Sequence, residues 1–415
     1  MSSRGRMTRG GRVLVQMNGL GLGGTEINAV QFAAAVREHG FESVLVGPAD
    51  TLPSGPSIRE VAAQYGVEVT AFERPTSAAR AARLLEGLAA DARADIVHVY
   101  GQGTIRGAYL GPCRLARRPL VQTAYEMAID PYTPDGAELV VGTRYLLEEC
   151  ATRAGGTTLI SPPVDLARDV AGVSERAMFR DRWSIAPADT AVVWVGRLDH
   201  KMKAPAVETL IDAVAGVRDP RVRAVIVGGG TAETDLRRRG EAVNARLGRD
   251  AIVFTGALAD PRPAYAAADA SVGMGSSAAR ALAFGLPLVV IGERGWSRPF
   301  TPDTAAGLYR NSFWSDEAVP DGAGELARRL TAITADPRSA EVAGAFGRRF
   351  AEREFGLPAM GARLAGVYER SRTSYTRRMW LHDVHRERRA AVHRIRRRLG
   401  SRVDGPTDGE YRYPL

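Results

Sequence analysis

Three cations, Arg197, Lys201 and Lys203, fall within the ten residues "GRLDHKMKAP" (196–205), directly after the strand-like run "AVVWV" and before the helix-patterned "VETLIDAV". An exposed cation at the start of a helix opposes the helix dipole by roughly 0.3–1 kcal/mol, so such residues usually collect at the other end. A bound anion of about two negative charges, such as a diphosphate, reverses the sign of that cost. An ordinary solvated loop is the alternative reading.

Three glycine-rich loops could serve the same anion. "NGLGLGGTE" (18–26), with Gly23, Gly24 and Glu26, separates the strand-like "RVLVQM" from a helix. Its glycines allow the backbone close to a bulky ligand while helix N–H groups point at an anion. A flexible turn is the bland alternative, and the loop is not read as the ordinary dinucleotide fingerprint with its acidic residue about 20 positions on. "VGGGTAET" (227–234), with Gly228 and Gly229, is explained equally well as a turn needing positive φ. In "SVGMGSSAARALAFGLPLVVIGERG" (271–295), Gly273, Met274, Gly275, Ser276 and Ser277 open a helix, where serine is most often a cap.

The elements that must hold these loops follow from the apolar pattern. "RVLVQM", "ESVLVG", "ADIVHVY", "PLVQTAY", "AELVVG" and "TTLISP" alternate with helical stretches, and after a polar, proline-containing segment a second series runs "AVVWVG", "RAVIVGG", "AIVFTG", "DASVGM", "PLVVIG". Strand and helix in repetition predict an α/β chain of two Rossmann-like domains with parallel sheets, whose ligands lie beyond the carboxyl ends of the strands. The expected divisions are a loose tail at 1–11, a first domain at 12–165, a linker at 166–188, a second domain at 189–345, helices crossing back at 346–371 and a basic extension at 372–415.

A chain of 415 residues suits two cores rather than one, and no apolar run approaches the ~18 residues of a membrane span. Cys113 and Cys150 are too few for a disulfide framework and have no metal-ligand spacing, so a reducing cytoplasm is the expected compartment. The net charge is +9, and residues 372–402 alone hold 11 arginines against Asp383 and Glu387, which accounts for all of it. The neutral remainder argues against nucleic acid as a partner. Leu381, Val384, Val392, Ile395 and Leu399 share a narrow stripe of a basic amphipathic helix at 377–400. Such a helix packs on its own body or makes a homodimer; docking on a membrane surface is the weaker expectation.

In order and spacing these runs resemble the retaining glycosyltransferases of the GT-B fold, family 4 (group 1), over about residues 12–370. "GLGGTE" matches the family's cleft-facing glycine loop, "ADIVHVYG" its "D-V-V-H" strand, and "TTLISPPVD" the turn before the linker. "VGRL" followed by lysine matches the clamp on the donor phosphates, "AIVFTGALADPRPAYAAADASV" the run lining the base pocket, and "RALAFGLPLVV" the motif "E-A-x-A-x-G-x-P-V-V". The resemblance implies two Rossmann-like domains facing a central cleft and transfer of a sugar from a UDP-, GDP- or dTDP-sugar to an unknown acceptor, with retention at the anomeric carbon. Arg197 and Lys203 would neutralise the departing diphosphate, Lys203 being the better match than Lys201. Gly23, Gly24, Gly228, Gly229, Leu258, Gly273, Met274, Gly275, Ser276 and Ser277 are the implied donor-side positions. No strand-end "D-x-D" occurs, so neither metal nor cofactor is expected, the nucleotide-sugar being a substrate.

Two departures from the family pattern stand out. Its two glutamates, eight positions apart, are replaced by Val272 and Arg280, and arginine cannot accept hydrogen bonds from ribose hydroxyls. Glu293 is the nearest substitute; otherwise Arg280 meets extra negative charge on the ligand. In "PLVQTAYEMA", Tyr125 stands where many relatives have a histidine, followed by Glu126, and these two with Glu26 and His98 are the acceptor-side candidates. The replaced glutamates keep two alternatives open: a GT-B-like enzyme forming a related bond with an unusual donor or acceptor, and an inactive ligand-binding partner subunit.

Overall fold

A computed structural model describes residues 10–53, 56–126, 128–131, 133–170, 172–200 and 203–374, together with Asp383, Val384, Glu387, Arg388 and Val392. Most of the expected tail at 1–11, most of the extension at 372–415, and Lys201 therefore lie outside the described residues. The chain divides into two units, residues 1–162 with 358–415, and residues 163–357.

The first unit holds seven strands, β1 (Gly11–Gln16), β2 (Phe41–Pro48), β3 (Val69–Phe72), β4 (Ile96–Tyr100), β5 (Leu120–Ala124), β6 (Glu138–Val141) and β7 (Thr157–Leu159). They form one sheet in the order β3-β2-β1-β4-β5-β6-β7, every pair parallel. Strands buried on both faces need near-continuous apolar runs, and here the two faces are covered by separate clusters, one around Val13, Val15 and Tyr100, the other around Leu14, Val97 and Val99. The order reverses between β1 and β4, which makes their carboxyl ends the natural place for a ligand.

The second unit repeats the plan with β8 (Thr190–Val195), β9 (Val222–Val227), β10 (Ile252–Gly256), β11 (Ala270–Gly273), β12 (Leu288–Ile291) and β13 (Ser297–Pro299). The order is β10-β9-β8-β11-β12-β13, parallel except for the antiparallel edge strand β13, with the reversal between β8 and β11. The helix Ala204–Gly216 that leaves β8 buries Val207, Leu210, Ile211 and Val214, a spacing of three and four that lines one helical face against the sheet. Each such side chain contributes roughly 1.5–3 kcal/mol.

Two boundaries differ from the sequence expectation. The proposed linker at 166–188 belongs to the second unit, and Val173–Arg182 within it is a helix. Its polar composition has a packing purpose: buried Arg180 donates to the carbonyls of Ala267, Ala186 and Asp189 at 2.8, 2.8 and 2.6 Å, while Arg176 bonds Asp269 at 2.6 Å. At the other end the second unit runs to Leu357 rather than 345, because Val164 and the segment 355–357 exchange backbone bonds, Val164 N–H to Phe355 and Leu357 N–H to Val164, both 2.9 Å. The helix Leu357–Ser374 then returns to the first unit, where Tyr368 packs edge-on against Phe41 at 5.2 Å.

Candidate functional site

Arg197 leaves the end of β8 exposed, and Lys203, half-buried, is the residue before the helix Ala204–Gly216. Lys203 takes φ +70, a left-handed backbone that costs a side chain of this kind energy and is commonly kept where function needs it. No side chain caps that helix start. Burial and the neighbouring Arg197 lower the Lys203 pKa to about 8, against the opposing pull of Glu293 and Asp199. Two cations and two carboxylates therefore share one field at the end of β8.

The glycines of 228–230 hold this loop in place. Leu198 N–H donates to Gly229 O at 3.0 Å, Ala232 N–H to Leu198 O at 2.7 Å, and Thr231 N–H to Asp199 Oδ1 at 3.1 Å. A Cβ at Gly228, which has φ +153, would strike the carbonyl of Gly196, and one at Gly230 would lie 2.6 Å from that of Leu198. Gly228 is thus required by the close approach of the Arg197 loop, while Gly229 has an ordinary φ and would bring a Cβ only to 3.2 Å from Glu233. Gly228 therefore backs the cationic loop at close range.

Across the sheet reversal, β11 ends at Gly273, and Met274 and Gly275 lead into a helix that opens with Ser276 and Ser277. Gly275 has φ +57 and is the residue before the helix Ser276–Ala283, again without a side-chain cap. Ser277 does not cap the helix start; its hydroxyl donates to Met274 O at 2.9 Å. Met274 is buried, Leu258 half-buried against the core. Val272 lies wholly buried in β11. Arg280 turns to Asp169, itself buried, at 3.2 Å, so the extra anion expected there has a protein answer. Glu293, half-buried, lies close enough for its charge to raise the Lys203 pKa against the effect of burial.

In the first unit, Glu26 folds back on its own helix: a methyl group at Gly23 would run into Oε2 of Glu26, so this carboxylate already lies at the helix start read as an anion site. His98, an acceptor-side candidate from sequence, is wholly buried, bonded to Tyr368 Oη at 2.8 Å and Thr123 Oγ1 at 2.7 Å, and burial lowers its pKa to about 3. It is a neutral interior residue joining β4, β5 and the returning helix. Tyr125 and Glu126 do follow β5 at the carboxyl edge. Among the described residues the buried hydroxyl of Tyr125 has no hydrogen-bond partner, and burial, then Tyr368, raises its pKa. Glu126 Oε1 accepts from Gln102 N–H at 3.1 Å, while its buried Oε2 has no partner among the described residues and burial raises the pKa.

Sequence reasoning passed over Gln102. Buried directly after β4, it also donates to Ala128 O at 2.8 Å and accepts from Asp130 N–H, tying down the loop between β5 and β6. The signal available was its place between two glycines at a strand end. Gln16 and Gln122 flank Val99 at one level of the sheet, and among the described residues Gln122 has neither amide atom bonded.

Two family models match the chain: a glycosyl transferase 4-like domain over residues 23–176 and glycosyl transferases group 1 over residues 189–309. No curated protein matches by sequence. Among solved structures, Anabaena Alr3699/HepE in complex with UDP-glucose superposes with a TM-score of 0.67 at 19% identity, covering 86% of this chain and 98% of that one. A glycosyltransferase from Rickettsia africae gives 0.68 at 12% identity over 88% and 99%. WaaG, a glycosyltransferase involved in lipopolysaccharide biosynthesis, gives 0.58 at 14% identity over 86% and 99%. At these identities the likeness is one of fold, the GT-B pairing of two Rossmann-like domains.

Proposed function

The chain belongs to the group 1 glycosyltransferases, and from that premise we propose that it moves a sugar from a UDP-sugar to a hydroxyl acceptor with retention at the anomeric carbon, using neither metal nor cofactor. The observation that carries this reading is Lys203, held in a left-handed conformation beside Arg197 at an uncapped helix start. Breaking the C1–O bond sends its electron pair to the leaving phosphate oxygen. Preorganised cations and N–H groups stabilise that charge as it grows, and losing one such donor commonly costs ~10²–10³ in rate. The acceptor hydroxyl enters on the face the phosphate leaves, giving its proton to a phosphate oxygen, so no protein nucleophile is required. Glu293 holds Lys203 charged and offers a carboxylate where Val272 and Arg280 supply none.

UDP is the first nucleotide to try, because similar structures bind UDP and UDP-glucose. The test is a thermal-shift panel of UDP-, GDP- and dTDP-sugars, followed by UDP release and the anomeric configuration of the product by NMR, with and without EDTA. Stabilisation by a nucleotide-sugar without any release would favour the inactive partner-subunit alternative. Inversion, or loss of activity in EDTA, would overturn the retaining or metal-free part. Among the described residues no helix is long and apolar enough to cross a membrane, and we place the activity in the cytoplasm, where nucleotide-sugars are the available donors.

A further inference from the structure

The basic stretch 372–402 has two acidic residues, Asp383 and Glu387, and both bind the first unit. One helical turn apart on helical backbone, they face inward together. Glu387 pairs with Arg106 at 2.6 Å. Asp383, 1% exposed, accepts from the hydroxyl of Tyr109 at 2.9 Å, from Asp135 N–H, and from Gly136 N–H at 3.3 and 3.4 Å. A buried carboxylate is costly unless donors surround it, and two consecutive backbone N–H groups form a concavity suited to an anion. Burial and Asp383 itself raise the Tyr109 pKa, so that hydroxyl remains a donor.

Asp135 and Gly136 close the loop that begins with Tyr125 and Glu126 after β5. Gln102 holds the near end of this loop; Asp383, reaching in from the far end of the chain, holds the other. We infer that Asp383 is a positioning residue: by filling the N–H pair at Asp135 and Gly136 it fixes the β5–β6 loop, so that the C-terminal extension sets the geometry of the acceptor side. This rests on the proposed reading of that loop as acceptor-facing. Asp383 and Glu387 then belong to the scaffold of that loop, and this acidic pair is the exception to the charge of the stretch for that reason.

Hydrogen exchange on the full-length chain tests it. Asp383→Asn keeps the shape but sets an amide N–H₂ against backbone donors, and a charge-assisted bond contributes on the order of tenfold or more to an opening equilibrium. Amides of 126–136, including those near Gln102, should exchange about tenfold faster, while the loops after β8 and β11 and the thermal shift given by UDP stay unchanged. Tyr109→Phe, which leaves the carboxylate in place, should raise exchange in the same amides by a smaller factor and serves if Asp383→Asn does not fold. Faster exchange confined to the extension, with 126–136 at the wild-type rate in both variants, overturns the inference. The acceptor reading fails separately: Glu126→Gln would then leave UDP release from UDP-glucose unchanged, with water or a glycoside as acceptor, whatever the exchange result.

Discussion

The carboxyl ends of the two sheets are built from opposite materials. Beyond β8 and β11 the second unit presents charge: Arg197 and Lys203 answered by Glu293 and Asp199, with two uncapped helix starts beside them. Just past β5 the first unit presents Tyr125 and Glu126, and within β1 and β5 it holds Gln16 and Gln122; among the described residues these buried side chains keep polar atoms without a bonding partner. Charge is what a diphosphate needs, because it must be stabilised while its own charge increases. Hydrogen-bonding groups without charge suit a sugar, whose hydroxyls each donate and accept. On the proposed reading, one fold repeated twice carries residues suited to two kinds of ligand.

The comparison breaks most visibly if the cations are idle. Arg197→Ala and Lys203→Ala should each lower the rate of UDP release by about 10²–10³ with the fold intact by circular dichroism. Near-normal turnover in either variant removes that residue from the site.

The next largest effect separates charge used for ligand from charge used for structure. Arg280 is paired with a buried carboxylate, so Arg280→Glu should cost roughly 3–5 kcal/mol of stability by leaving two carboxylates together. Donor affinity, measured on the folded fraction, should stay the same. A stable variant with altered donor affinity would return Arg280 to the site.

Much of this was legible in the sequence, and what was not has a common cause. Val- and Ile-rich runs announced both sheets, and the resemblance to the family pattern singled out Lys203 over Lys201. Its left-handed backbone was not foreseen, since only tertiary packing holds a lysine there. Partners distant in the chain were equally hidden: Asp169 lies 111 positions from Arg280, and the donors to Asp383 lie 247 or more positions away. At Gly228 the sequence shows that a glycine is needed without showing that the backbone approaching it is that of Gly196. The 166–188 segment looked like a linker because arginines that bind carbonyls read as polar surface.

A smaller effect comes from titration. With a pKa of about 8, Lys203 carries its charge at neutral pH and loses it as the pH rises, so kcat/KM for UDP-glucose should fall about tenfold per unit above pH 8. The bound diphosphate favours the cation, so kcat should hold to higher pH. Removing the like charge in Arg197→Gln should move the limb upward, and removing the opposing carboxylate in Glu293→Gln should move it downward, in whatever activity remains. A limb that ignores both substitutions belongs to another group.

The smallest expected effect probes the other half of the comparison. Among the described residues the buried Tyr125 hydroxyl has no partner, so Tyr125→Phe removes a group that none of them uses. A buried unpaired hydroxyl carries a desolvation cost of about 1–3 kcal/mol, and deleting it should leave the melting temperature unchanged or slightly raised. If the hydroxyl instead meets an acceptor sugar, the variant loses one neutral hydrogen bond, worth about 0.5–1.5 kcal/mol. The acceptor KM should then rise by up to about tenfold while the donor KM and the pH limb of Lys203 stay where they were. A loss of more than about 1 kcal/mol in stability would mean that the hydroxyl serves the fold, and the contrast between a charged donor side and an unfilled polar acceptor side would no longer hold at this residue.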